Sequence, residues 1–202
     1  VRASIADGAA STEVEQTYHN GTPRELEATW MLPLPAGAMA DAFSMTVGDK
    51  LLAGEVLDAN AANAVYQQIV RQRRDPGLLE YAGAGMLRAR VFPIPPHADC
   101  TVRVRFRQLL SPTGGLYEWS WPLRVAGLTG DGDGSVGIEL TIESQTPIKT
   151  VLATLPAAEI LRKGERQARV TLELRAGDAK ADDLRVLYGL GEKELGLHLL
   201  PY

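Results

Sequence analysis

The side chains able to do covalent or acid–base chemistry are few and scattered. One cysteine, Cys100, and three histidines, His19, His97 and His198, occur in 202 residues. Cys100 and His97 are near enough in sequence to raise a thiol–imidazole pair, which would need an exposed thiol in an electropositive cleft. The surrounding pattern argues otherwise. Val102, Val104 and Phe106 alternate with Arg103, Arg105 and Arg107, so Cys100 falls on the apolar face of a half-buried strand and reads as a core thiol. Neither HExxH nor paired His/Cys spacing occurs, which argues against zinc. GxSxG is absent, and the carboxylates are spread over strand faces with no pairing for acid–base work. No catalytic, cofactor-binding or metal residue is assigned, and no enzyme activity is expected.

Four further patterns mimic sites. Gly132-Asp133-Gly134-Ser135-Val136-Gly137 spells the dinucleotide fingerprint, but it lies between strands, where no helix amino terminus can hold a pyrophosphate. Asp131, Asp133 and Ser135 resemble the opening of a calcium loop. Val136 stands where that loop needs glycine and Ile142 where it needs glutamate, which leaves at most weak surface binding by Asp131 and Asp133. Asn20-Gly21-Thr22 is a glycosylation sequon weakened by Pro23, and its plain role is a hairpin turn. Tyr117, Trp119 and Trp121 share one strand face. Exposed, they would form a carbohydrate-stacking platform, and that β-sandwich lectin is the alternative function; buried, they are core.

Elements that could position these residues are mostly strands. Alternating runs span Thr12 to Tyr18, Leu26 to Leu32, Phe43 to Val47, Leu51 to Leu57, Leu87 to Phe92, Cys100 to Leu109, Leu116 to Trp121, Val136 to Ile142, Ala168 to Leu174 and Leu184 to Tyr188. Turns are expected at Asn20-Gly21, Gly48-Asp49 and Pro112 to Gly115. Met31-Leu32-Pro33-Leu34-Pro35 and Val91-Phe92-Pro93-Ile94-Pro95-Pro96 should each end a strand, because proline has no amide for a ladder. One helix is predicted over about 58–74. It would place Ala61, Ala64, Val65 and Ile69 on one face, with Asp58 or Asn60 as cap and Asp75-Pro76-Gly77 as stop. The fold class is therefore mainly β, an antiparallel sandwich-like domain with one inserted helix and a strand-rich C-terminal extension. Gly127 to Gly137 is the candidate boundary.

With 45 % hydrophobic and 23 % charged residues and a net charge of −4, the composition is that of a soluble globular domain. No apolar run reaches the roughly 20 residues a bilayer demands. Charge is uneven: residues 1–70 carry −6, 71–107 carry +5 and 108–202 carry −3. The basic block could face a nucleic acid. An acidic chain more simply pairs those arginines with its acidic N-terminal strands across a sheet.

The order of motifs resembles the vault protein inter-alpha-trypsin (VIT) domain. They run Glu15 to Asn20, Leu26 to Thr29 into Leu32-Pro33-Leu34-Pro35, Phe43 to Val47, Gly54-Glu55-Val56 into the helix with Ala64 and Tyr66, Asp75 to Tyr81, and Phe92 to Pro96. The resemblance covers residues 1–122 and departs at Leu32, where phenylalanine is more usual. It implies a non-catalytic structural and interaction module of a larger, extracytoplasmic protein, making protein or matrix contacts. It further implies that 123–202 is a connector to a von Willebrand factor type A domain of the same polypeptide, whose DxSxS motif is not in this sequence. The start at Val1 and the stop at Tyr202 fit a piece of a longer chain. No nucleic-acid partner is implied, and a membrane only through parts outside this piece.

Overall fold

The computed structural model describes residues 1–48, 50–54, 56–58, 78–81, 85–123, 134–175 and 183–191. Among them the chain runs β1 (Arg2–Ala6), β2 (Ala9–His19), β3 (Leu26–Pro33), β4 (Met39–Val47), β5 (Lys50–Gly54), β6 (Val56–Asp58), β7 (Leu78–Tyr81) and β8 (Met86–Ile94). It continues with β9 (Asp99–Leu109), β10 (Leu116–Trp121), β11 (Ser135–Glu143), β12 (Ile148–Ala153), β13 (Glu159–Lys163), β14 (Gln167–Arg175) and β15 (Leu184–Leu190). The mainly β, mostly antiparallel reading holds. The helix expected over 58–74 lies outside the described residues, apart from Asp58, which ends β6.

Two compact units divide the chain: Val1 with Ser11–Gln108, and Arg2–Ala10 with Leu109–Tyr202. In the first, strands β2-β9-β4-β5 lie side by side, and β3-β8-β7-β6 form a second sheet. β9 alternates as its sequence demands, with Cys100, Val102, Val104 and Phe106 at most 2 % exposed. Its register sets Phe43 opposite Val104 and Met45 opposite Val102, so all four share one face. The second sheet contributes Trp30, Leu32, Leu79, Leu87, Ala89 and Val91 to the core. Trp30 meets Phe43 with ring centroids 6.5 Å apart, joining the two sheets. Each large apolar side chain buried this way stabilises by roughly 1.5–3 kcal/mol relative to exposure.

The prolines fall where no ladder bond is lost. Pro33 ends the outer strand β3. Pro93 sits inside β8, a central strand, one residue before its end. There the pairing with β3 slips between Leu26 and Ala28, and β7 reaches only Arg90, so the missing amide costs nothing. The run expected over 51–57 is two strands, β5 and β6, and they belong to different sheets.

The second unit joins β1 to strands from the far end of the chain. Its sheets are β13-β14-β11-β1 and β10-β15-β12. β1 runs parallel to β11, with Ala3 opposite Leu140 and Ile5 opposite Ile142, all buried. Trp119, Trp121, Leu184, Val186 and Tyr188 supply the other sheet's inner face. Asp7 (φ 47°) and Gly8 (φ 85°) turn the chain out of β1, an Asp-Gly pair in the conformation such turns require.

Candidate functional site

Three places gather polar or aromatic side chains. The first is the outward face of β2, β9 and β4. Asp41 stands at the slip in the β4–β9 register and takes two guanidinium groups, Arg105 Nε on Oδ1 and Arg107 Nε on Oδ2, both at 2.7 Å. Asp41 raises the Arg105 pKa further above its ordinary value through that hydrogen bond and its charge. On the other side of β9, Arg103 Nε donates to Glu15 at 2.5 Å, Thr17 and Thr101 hydroxyls meet at 2.9 Å, and His19 Nδ1 meets Asp99 at 2.8 Å. These pairs are largely exposed, where solvent and salt screen them and each adds little to stability. Their effect is to cancel the charge of the basic stripe. Arg103, Arg105 and Arg107 are thus paired across the sheet, Arg88 and Arg90 are also engaged, and Arg71, Arg73 and Arg74 lie outside the described residues.

The second place is Asn20, 4 % exposed. Its amide Nδ2 donates to the carbonyls of Arg24 at 2.8 Å, Pro95 at 2.9 Å and Ile94 at 3.1 Å. Its Oδ1 accepts from Thr22 N at 3.0 Å and Thr22 Oγ1 at 2.8 Å. Backbone bonds Asn20 N to Ala98 O and His97 N to Asn20 O complete the knot. The expected hairpin here is not one, because β2 and β3 lie in different sheets. Asn20 instead ties the end of β2 to the second proline motif. The sequon nitrogen is turned inward, onto three carbonyls.

The third place is the Tyr117–Trp119–Trp121 strand. The three do share a face, but Trp119 and Trp121 are 1 % exposed. Tyr117 is stacked on Tyr188 with centroids 4.9 Å apart and planes at 13°. Burial pushes the Tyr188 phenol up to about 12. A sugar needs an open aromatic face, so the platform reading is corrected: Trp119 and Trp121 are core, and half-buried Tyr117 is stacked on Tyr188. Among the described residues Tyr188 OH and Trp121 Nε1 are buried with no hydrogen-bond partner, which favours packing over recognition as the reason for these rings.

The remaining candidates separate. Cys100 is buried, and burial raises its thiol pKa, the opposite of what a nucleophile needs. His97 is exposed in a turn with φ 54°, and His198 lies outside the described residues, as do Asp131 and Asp133. Ser135, Val136 and Gly137 of the fingerprint-like stretch open β11, so a strand follows where a dinucleotide site needs a helix. They line an open groove of about 510 Å³ with Glu173, Leu174 and Arg175. Among the described residues no three His, Cys, Asp or Glu side chains converge as a metal site.

The family model described as vault protein inter-alpha-trypsin domain matches residues 1–106. Protein mono-ADP-ribosyltransferase PARP4 of Homo sapiens is 25 % identical over 126 residues, 62 % of this chain and 7 % of that protein. Inter-alpha-trypsin inhibitor heavy chain H4 of Homo sapiens is 27 % identical over 119 residues, 58 % of this chain and 13 % of that protein. The chain thus spans only a small fraction of the curated relatives it matches. Among solved structures, a candidate nutrient binding protein from Legionella pneumophila superposes with a TM-score of 0.56 at 15 % identity, over 93 % of this chain and 64 % of that one. That likeness is one of fold.

Proposed function

The chain belongs to the vault protein inter-alpha-trypsin domain family, and from that premise we propose that it serves as a non-catalytic structural and interaction module of a larger multidomain protein. The carrying observation is the family match itself, set beside relatives in which the shared segment is 7 % and 13 % of the length. A unit that recurs as a small part of long, differently named proteins is a module. The transferase activity in one relative's name does not travel with a segment of that size. The first unit supports the reading by what it spends its polar groups on. Its one cysteine is core, Arg103, Arg105 and Arg107 are paired with carboxylates, and its buried asparagine closes a loop.

In this reading residues 1–122 are the VIT domain and 123–202 lead to a type A domain in the same polypeptide. The setting is extracytoplasmic, and the contacts are with protein or matrix. Crosslinking mass spectrometry on the full-length native protein tests it. Crosslinks from residues 1–122 to a downstream type A domain or to a bound protein are expected. Crosslinks confined to the module itself would overturn the proposal.

A further inference from the structure

β13 differs from its neighbours in being exposed along all five residues. Among the described residues it forms the outer strand of β13-β14-β11-β1, with β14 along one side of its backbone and no strand along the other. Natural edges are usually blunted, because an open row of amides and carbonyls invites another strand. β13 carries two large apolar side chains there, Ile160 at 40 % and Leu161 at 57 % exposed.

Register with β14 fixes the faces. Ile160 and Arg162 stand opposite Val170 and Ala168, which are buried, so they belong to the core side. Glu159, Leu161 and Lys163 stand opposite Thr171, Arg169 and Gln167 and belong to the outer side. Arg162 is already committed: its guanidinium donates to the carbonyls of Ile148 and Lys149 in the facing sheet.

We propose that two copies of this chain associate edge to edge through β13, antiparallel about a twofold axis at Leu161. The sequence Glu159-Ile160-Leu161-Arg162-Lys163 is its own complement in that register. Glu159 meets the partner's Lys163, and the symmetry repeats the pair. Leu161 meets the partner's Leu161 on the same outer face. Ile160 meets the aliphatic stem of the partner's Arg162, whose charged end is held elsewhere. A parallel arrangement would set Glu159 against Glu159 and Lys163 against Lys163, so charge selects the antiparallel one. The joined sheets run on through both copies. Five residues give a contact only about 17 Å long, so the association is weak, with a Kd on the order of 10⁻⁴ M. β13 lies beyond residues 1–106, so the proposal does not depend on the family reading.

Sedimentation velocity on the 202-residue chain, from about 10 µM to 1 mM, tests it. A monomer–dimer equilibrium is expected. Glu159→Lys and Lys163→Glu should each weaken it roughly tenfold, since each sets two like-charged pairs in opposition. The double variant E159K/K163E should return to within about twofold of the parent. Both side chains are exposed, and far-UV circular dichroism confirms that each variant is folded. Amide exchange gives an independent reading: protection at residues 159–163 should rise with protein concentration. A monomer throughout the range, single variants without effect, or a double variant that stays as weak as the singles would each overturn the proposal.

Discussion

Asn20 accepts two and donates three hydrogen bonds through one side chain, more than its two amide protons can serve singly. Replacing it with alanine takes the donor from three carbonyls, Ile94 O buried and Arg24 O and Pro95 O part-buried, and buried unpaired polar groups cost about 1–3 kcal/mol each before relaxation. Asn20→Ala should therefore lower the unfolding free energy by about 3 kcal/mol in urea titration. The same burial predicts that folded protein offers no acceptor to oligosaccharyltransferase, so intact mass after incubation with enzyme and lipid-linked donor should be unchanged. Gly8 sets a second test. Its φ of 85° is strained for any side chain, and a Cβ would lie 3.4 Å from Leu110 O and from the Tyr117 ring. Gly8→Ala should cost at least about 1 kcal/mol by the same measurement. Tyr188 supplies a pH test. Its folded pKa of about 12 lies above the ordinary 10. The folded state therefore holds its proton more tightly, and this contribution, complete below pH 10, is lost as pH rises through 10 to 12. Guanidinium midpoints should fall over that window, and less steeply in Tyr188→Phe. Cys100 facing inward was legible, because strict alternation fixes a face. Asn20 as a knot was not, because its acceptors at Ile94 and Pro95 are more than seventy positions away.

Most strands could be read from period two wherever one face is buried. β9 and β11 are the clearest, with burial alternating residue by residue. β13 escaped because a strand exposed on both faces has nothing to alternate. β7 is four residues long, too short for a period, and β12 is only fully buried at Ile148. The switch between β5 and β6 is likewise silent in sequence, since the run from Leu51 to Leu57 continues while the chain changes sheets. Opposite charges flanking the arginines gave the cross-strand pairing its sign, although not its register, which the slip at Asp41 decides. That ladder has its own prediction. Asp41→Ala frees two guanidinium groups at once. The urea midpoint should barely move, while retention on a sulfonate column rises, an effect that salt removes.

Across the whole molecule, the division into units ignores sequence order. β1 supplies Ala3 and Ile5 to a core otherwise built after residue 109, and the match to residues 1–106 cuts through that arrangement. Local pattern could not show this: Arg2 pairs with Glu139, and nothing near Arg2 points there. Removing residues 1–6 should therefore open β11, with amide protection falling at residues 138–142 while residues 100–106 stay protected in hydrogen exchange.

The parallel pairing of β1 with β11 also imposes a clock on synthesis. At roughly 5–20 residues per second, a ribosome needs on the order of ten seconds after making Ile5 before Ile142 exists to receive it. Strand β1 therefore leaves the ribosome well ahead of its partner, and Ala3 and Ile5 wait without β11 until residues 139–143 have been made.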